Sequence, residues 1–256
     1  MLKGTGRNVC LVDANVQQAD TGKYIAAHQP SIVDLLSDAS QIHPDRITNF
    51  LHHKPNLNLS VLIGPPEPEV AHPVHFGGRR YAEVIEALKP NYDYIIVDTP
   101  VAELYHGMFR DFALPYADYL LVCVAPNSTT IYNTYLWLKA ITAKPAAGGM
   151  GFDDNKIGIV LNRAETDIGC DEALVEDQLR DWDYIGAIPE TREWKRANNE
   201  HRLVVAENNN DINTAIALVL EKATGEHLVD AAATAKLAAA GSTRGLLRRL
   251  FARKGN

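Results

Sequence analysis

Apolar, β-branched runs recur along the chain, and each gives way to a turn and then to a helical pattern. The runs are NVCLVD (8–13), LSVLIG (59–64), YDYIIVD (92–98), YLLVCVAP (119–126), KIGIVLN (156–162) and DYIGAIP (183–189). They are apolar at successive positions rather than alternate ones, the pattern of strands covered on both faces. Between them, Tyr81, Val84, Ile85 and Leu88 fall at i, i+3, i+4 and i+7 of GRRYAEVIEALKP (78–90). EALVEDQLRDW (172–182) and NDINTAIALVLEKATG (210–225) carry the same helical period. The alternation predicts an α/β fold: a doubly wound, mostly parallel sheet with helices on both faces. IGPPEPE (63–69) and GGMG (148–151) predict loops. After Gly225 the stretch HLVDAAATAKLAAAGST (227–243) holds few large apolar groups, so 226–243 reads as a linker or weak helix.

Composition narrows the class. The 256 residues, 46% hydrophobic and 22% charged, suit a soluble globular chain of one large domain or two small ones. No stretch is long and apolar enough to span a bilayer as a helix. Cys10, Cys123 and Cys170 are far apart and odd in number, which argues against a disulfide framework and for a reducing cytoplasm. His52, His53, His72 and His75 lie in loop-like sequence without acidic or cysteine partners, so no metal cluster is expected there. Trp137, Trp182 and Trp194 read as packing residues.

Charge changes the picture at one end. Arg244, Arg248, Arg249, Arg253 and Lys254 bring five positive charges without an acid, which leaves −12 on the rest of a chain whose total is −7. An acidic body with a basic tail implies an anionic partner for the tail. At about 100° per residue, Leu246, Leu247, Leu250 and Phe251 share one arc of a helix, with Arg244, Arg248, Arg249 and Arg253 on the remainder. The pattern fits a short interfacial helix on an anionic membrane; a solvated basic terminus or a helix docked on a partner is the alternative.

In a doubly wound sheet, chemistry gathers at the carboxyl ends of the strands. YDYIIVDTP places Asp98 at one such end, where an acid can hold a Mg²⁺-bound water beside a nucleotide's phosphates, or simply cap a turn. NVCLVDANVQ places Asp13 at another. Asp13 reads as an acid near a γ-phosphate, as a ribose-gripping acid, or as part of a turn; only twelve residues precede it, too few for the Gly-rich loop the ribose role needs. Asn162 offers a donor and an acceptor suited to a base edge, and IPETREW (188–194) reads as a loop able to close over the same base. Neither LKGTGRN nor Gly22-Lys23 is a phosphate loop. The first runs into a strand rather than a helix, and the second has Gln17 where the first glycine belongs and Tyr24 after the lysine.

Taken in order, DANVQ, IGPPEPE, DTP, VAPNSTTIYN, LNR and AIPE resemble the MinD/ParA family of deviant P-loop ATPases over roughly residues 7–225. SIVDLLSD (31–38), IGPPEPE and the basic tail look most like its pilus-assembly localisation (TadZ/CpaE-like) branch, with MinD close behind. The resemblance implies ATP and Mg²⁺ as cofactors, with catalytic roles for Asp13 and Asp98 and Mg²⁺ held through water by Asp98. It assigns the base to Asn162, Arg163 and Pro189. It also implies an ATP-driven homodimer that meets the inner face of the cell membrane through Leu246, Leu247, Leu250, Phe251, Arg248 and Arg249, and positions a pilus, secretion or division machine through a protein partner. Two departures stand out. Asn15 replaces the second acid of the family's D-x-D, and the family's first strand, phosphate loop and first helix are absent from this sequence. That strand lies beside the Asp98 strand in the family, so the expectation is a chain that starts after it, at an internal Met. A pseudo-ATPase scaffold is the alternative. A DNA-partition role is disfavoured by the acidic body.

Overall fold

The computed structural model describes residues 6–15, 19–67, 78–100, 107–165, 168–204 and 210–228. Gln17 and the tail 244–256 lie outside the described residues, as does all of 226–243 beyond residue 228. The chain divides into two compact units, Met1–Ala117 and Asp118–Asn256, a division inside 1–225 that the hydrophobic pattern does not mark.

The first unit runs β1 (Val9–Asp13), α1 (Thr21–Ile25), α2 (Ile32–Ser37), β2 (His52–Lys54), β3 (Leu59–Leu62), α3 (Gly78–Leu88) and β4 (Tyr94–Asp98). A π-helical turn (Met108–Ala113) then leads into α4 (Leu114–Tyr116). The strands lie in the order β2-β3-β1-β4. β1 is parallel to β3 and to β4, and β2 is antiparallel to β3.

Successive apolar residues in β1 serve the two faces. Cys10, Val12 and Ala14 pack with Ile32, Leu35, Tyr81, Leu88 and Phe112 on one side. Leu11 joins Val61, Ile63 and Ile25 on the other. Each such aliphatic or aromatic side chain contributes about 1.5–3 kcal/mol on full burial. α3 buries Tyr81, Val84, Ile85 and Leu88, the stripe its period predicts. α2 starts with a capping box: Ser31 accepts from the Val33 amide, and the Asp34 carboxylate accepts from the Ser31 amide at 2.6 Å.

The second unit runs β5 (Leu120–Val124), α5 (Ser128–Thr142), β6 (Ile157–Ala164), α6 (Glu172–Gln178), β7 (Asp183–Pro189), α7 (Arg192–Asn199) and α8 (Asn210–Thr224). Its three strands are parallel in the order β5-β6-β7. Val160 and Ile185 pack against Val219 of α8. Asn127, Asp171 and Thr191 cap α5, α6 and α7 by accepting backbone amides, so three strand-to-helix turns are closed by side chains suited to the task.

The mostly parallel α/β arrangement expected from the sequence is present, with its strands in two sheets, one per unit. Two details differ. The three-residue β2, His-His-Lys, carries no apolar residue and so gives no strand signal in the sequence. IPETREW is not one loop, because β7 runs to Pro189 and α7 starts at Arg192, leaving two residues between them. β4 pairs with β1 on one side and has no second strand partner among the described residues; Ile96 at its centre is 41% exposed. Among the described residues β5 pairs with β6 only, and Leu121 is 44% exposed.

Candidate functional site

The carboxyl ends of β1 and β4 bring two acids together. Asp13 and Asp98 are register partners on adjacent parallel strands. The Ala14 amide donates to the Asp98 carbonyl at 2.8 Å, which carries the ladder to the last residue of each strand.

The Asp13 side chain is fully buried. Its carboxylate accepts from the Asn15 amide at 3.1 Å and the Thr21 amide at 3.3 Å, and further bonds come from the Thr21 hydroxyl and the Gly64 backbone. Burial pushes its pKa up, and these donors pull it back. Asp13 therefore ties three segments to one point: its own strand end, the start of α1, and the turn after β3. A β-carbon at Gly64 would collide with the Ala19 methyl and lie 3.1 Å from the Asp13 carboxyl carbon, so only glycine admits this approach.

Asp98 differs. The residue is exposed by surface area, yet its carboxyl is crowded by neighbouring atoms and by two other acids. Loss of hydration first, then repulsion from Asp13 and Asp20, pushes it up to about 6. Asp20 itself pairs with Lys23 at 2.5 Å on the surface, so Gly22-Lys23 belongs to a short helix with its lysine engaged by an acid. Among the described residues, no group of three or more His, Cys, Asp or Glu is arranged to hold a metal ion. One carboxylate with acidic neighbours offers a partial shell, which suits a Mg²⁺ that takes its other oxygens from phosphates and water.

The second unit holds the other sequence-derived residues at the carboxyl ends of β6 and β7. Asn162 pairs in register with Ile188 and Ala164 with Pro189, leaving Arg163 as an extra residue on β6. Arg163 takes a left-handed backbone, φ 57°. Such a bulge re-aims side chains at the end of a strand, and a non-glycine residue in this region is strained. The Glu190 amide donates to the Ala164 carbonyl at 2.9 Å, locking the two strand ends together. The Glu190 side chain is 7% exposed and stands 3.8 Å from Arg163 Nε and 3.7 Å from Lys195 Nζ.

Of the residues singled out from the sequence, Asp13 and Asp98 stand at the ends of β1 and β4, and Asn162, Arg163 and Pro189 at the ends of β6 and β7. Sequence reasoning missed Thr21 and Gly64, which build the Asp13 environment, and Glu190. Gly64 at the end of an apolar run was a visible signal; the burial of Glu190 had none in the sequence. The tail residues Leu246, Arg248, Leu247, Arg249, Leu250 and Phe251 lie outside the described residues.

The chain is a mostly parallel α/β fold with acids at adjacent strand ends, and comparison with known proteins narrows the fold class. No family model matches the chain. The chain is similar to the septum site-determining protein MinD of Thermotoga maritima, 24% identical over 199 residues, which cover 76% of this chain and 68% of that protein. Among solved structures it is similar to MinD from Pyrococcus horikoshii complexed with Mg-ADP, with TM-score 0.69, 20% identity, and coverage of 87% of this chain and 86% of that one. It is also similar to a ParA family ATPase from Chlorobium tepidum, with TM-score 0.67, 19% identity, and 85% of each chain covered. The chain has the fold of the MinD/ParA family of P-loop ATPases. Among the described residues, no helix is long and apolar enough to cross a membrane.

Proposed function

We propose that this protein is a MinD/ParA-type ATPase, which binds ATP with Mg²⁺, dimerises on nucleotide, and attaches reversibly to an anionic membrane surface to position a cell-surface, pilus, secretion or division machine. The observation that carries the reading is the register pair Asp13–Asp98 at the ends of adjacent parallel strands, in a fold that MinD with Mg-ADP shares.

The roles divide by environment. Asp98 is the acid with room for a cation, and a divalent ion beside it relieves the repulsion from Asp13 and Asp20. Bound Mg²⁺ supplies charge neutralisation at the phosphates. Asp13, with its oxygens engaged by Asn15, Thr21 and Gly64, orders the loops around that position. Asn162, Arg163 and Pro189 are assigned to the base. Asn15 leaves the β1 turn with one acid fewer than the family pattern. That fact favours a second reading, a non-catalytic scaffold that keeps the fold and partner contacts without turnover.

The tail supplies the membrane contact in this reading. Leu246, Leu247, Leu250 and Phe251 enter the acyl boundary, and Arg248 and Arg249 meet headgroups. One short helix binds weakly, and a homodimer presents two, so dimerisation switches attachment.

Titration calorimetry of the full-length protein with ATP, with and without Mg²⁺, tests the first reading. Mg²⁺-dependent binding with phosphate release supports the ATPase, binding without release supports the scaffold, and absence of binding overturns nucleotide recognition. Co-sedimentation with anionic vesicles and with DNA tests the tail: pelleting with DNA alone would remove the membrane reading.

A further inference from the structure

The Asp13 carboxylate is a buried charge, and such a charge persists only where donors hold it. Its two oxygens are shared out. Oδ1 accepts from the Asn15 amide at 3.1 Å, and Oδ2 from the Thr21 amide at 3.3 Å. Gly64 adds a backbone bond, and the Thr21 hydroxyl adds a side-chain donor. Thr21 thus grips the carboxylate twice, through its amide and through its hydroxyl. It is itself fixed from behind. Thr21 opens α1, whose five residues are too few to hold a helix unaided. The preceding residue, Asp20, makes no capping bond, and its carboxylate pairs with Lys23. Asp13 therefore caps α1 from the end of β1. The rest of α1 is anchored: Ile25 packs with Val61 and Ile63, and the Ala27 amide donates to the Gly22 carbonyl at 2.9 Å.

Resting on the reading that this strand end handles the nucleotide, we infer that Thr21 is a positioning residue for turnover, acting through Asp13. Two amides alone leave the carboxylate room to swing. A third donor, carried by the same anchored residue as one of those amides, restricts it to one orientation. The charge of Asp13 then stands at a fixed place beside its register partner Asp98. Holding a charged group in one pose ahead of the reaction spares the cost of ordering it during the reaction. Valine at this position keeps the branched shape and the amide bond but lacks the hydroxyl. Serine keeps the hydroxyl and gives up only a methyl group.

The test compares T21V and T21S with the wild type, all as full-length protein, by phosphate release from Mg²⁺-ATP and by hydrogen exchange at the Asn15 amide. T21V is expected to lower kcat by roughly 10-fold to 100-fold, the range for one hydrogen bond to a charged group, with KM near the wild-type value. Asn15 exchange is expected to speed up in T21V, because its acceptor is no longer held still. T21S is expected to match the wild type in both. Urea midpoints check that each variant is folded, and T21A replaces T21V if valine is not tolerated. A wild-type kcat in T21V overturns the inference while leaving the ATPase reading intact. So does a loss confined to KM, or an equal loss in T21S, either of which makes Thr21 only a support for α1. A fall in kcat with Asn15 exchange unchanged also overturns it, since the hydroxyl would then act without Asp13. Absence of hydrolysis by the wild type overturns the inference together with the ATPase reading on which it rests.

Discussion

Asp13 and Asp98 are partners across one rung of a parallel ladder, yet one is fully buried and hydrogen-bonded while the other is left to repel its neighbours. The difference sets their pH behaviour. Asp98 is raised from 3.8 to about 6, so the folded state holds a proton between those values that the unfolded chain has lost. Stability therefore falls as pH rises through roughly 4 to 6 and is level above. D98N is expected to flatten that slope and to stabilise the protein at pH 7, by about 1 kcal/mol or less given the screening an exposed residue receives. Urea midpoints from pH 4 to pH 8 check both. In the same variant, Mg²⁺-dependent ATP binding is expected to be lost.

Protonation of Asp98 also removes the charge that would face a cation. Mg²⁺-dependent nucleotide binding is expected to weaken as pH drops below about 6 in the wild type, read by calorimetry at fixed free Mg²⁺. Binding that stays constant from pH 7.5 to pH 5 would take Asp98 out of that role.

Asp13 is a fastening point, and its removal is expected to be structural. D13A leaves the partly buried amides of Asn15 and Thr21 without an acceptor and is expected to cost about 2–4 kcal/mol, at 1–3 kcal/mol for each abandoned donor with partial relief by water. D13N keeps the shape and one acceptor and is expected to cost less. Chemical denaturation of the two variants orders them.

Gly64 tests the same arrangement from the opposite side. G64A drives a methyl into Ala19 and toward the Asp13 carboxylate, for an expected loss of about 1–3 kcal/mol. A wild-type midpoint for G64A would show that the turn after β3 does not press on Asp13.

Arg163 carries a different kind of strain. R163G permits the left-handed conformation without a β-carbon and is expected to raise stability by about 0.5–1 kcal/mol. Thermal melts check it; a lower melting temperature would mean that the arginine's contacts outweigh its backbone cost.

The sequence disclosed what periodicity and strand ends can disclose. Six apolar runs became strands; those of β1, β3, β6 and β7 are largely buried, whereas Ile96 of β4 and Leu121 of β5 stay exposed. Asp13 and Asp98 stood out as the first polar residues after such runs. Glu190 did not, because nothing in IPETREW distinguishes an acid buried under two cations from one facing water. The break between IPETREW's strand and helix was hidden for a related reason. Thr191 is an ordinary loop residue until its hydroxyl is seen accepting the Trp194 amide at 3.0 Å. The division at Ala117 was equally silent, since it follows from which strands pair and not from composition.

The open side of β4 has a consequence for the protein in bulk. Natural edge strands are blunted by lysine, proline or a bulge. Between Tyr94 and Val97, β4 has none of these, and Ile96 projects from it into solvent. Among the described residues β4 has a strand partner on one side only, and an apolar strand edge of that kind is a template on which another extended chain can zip. I96K is expected to reduce concentration-dependent clouding on warming, with light scattering as the readout.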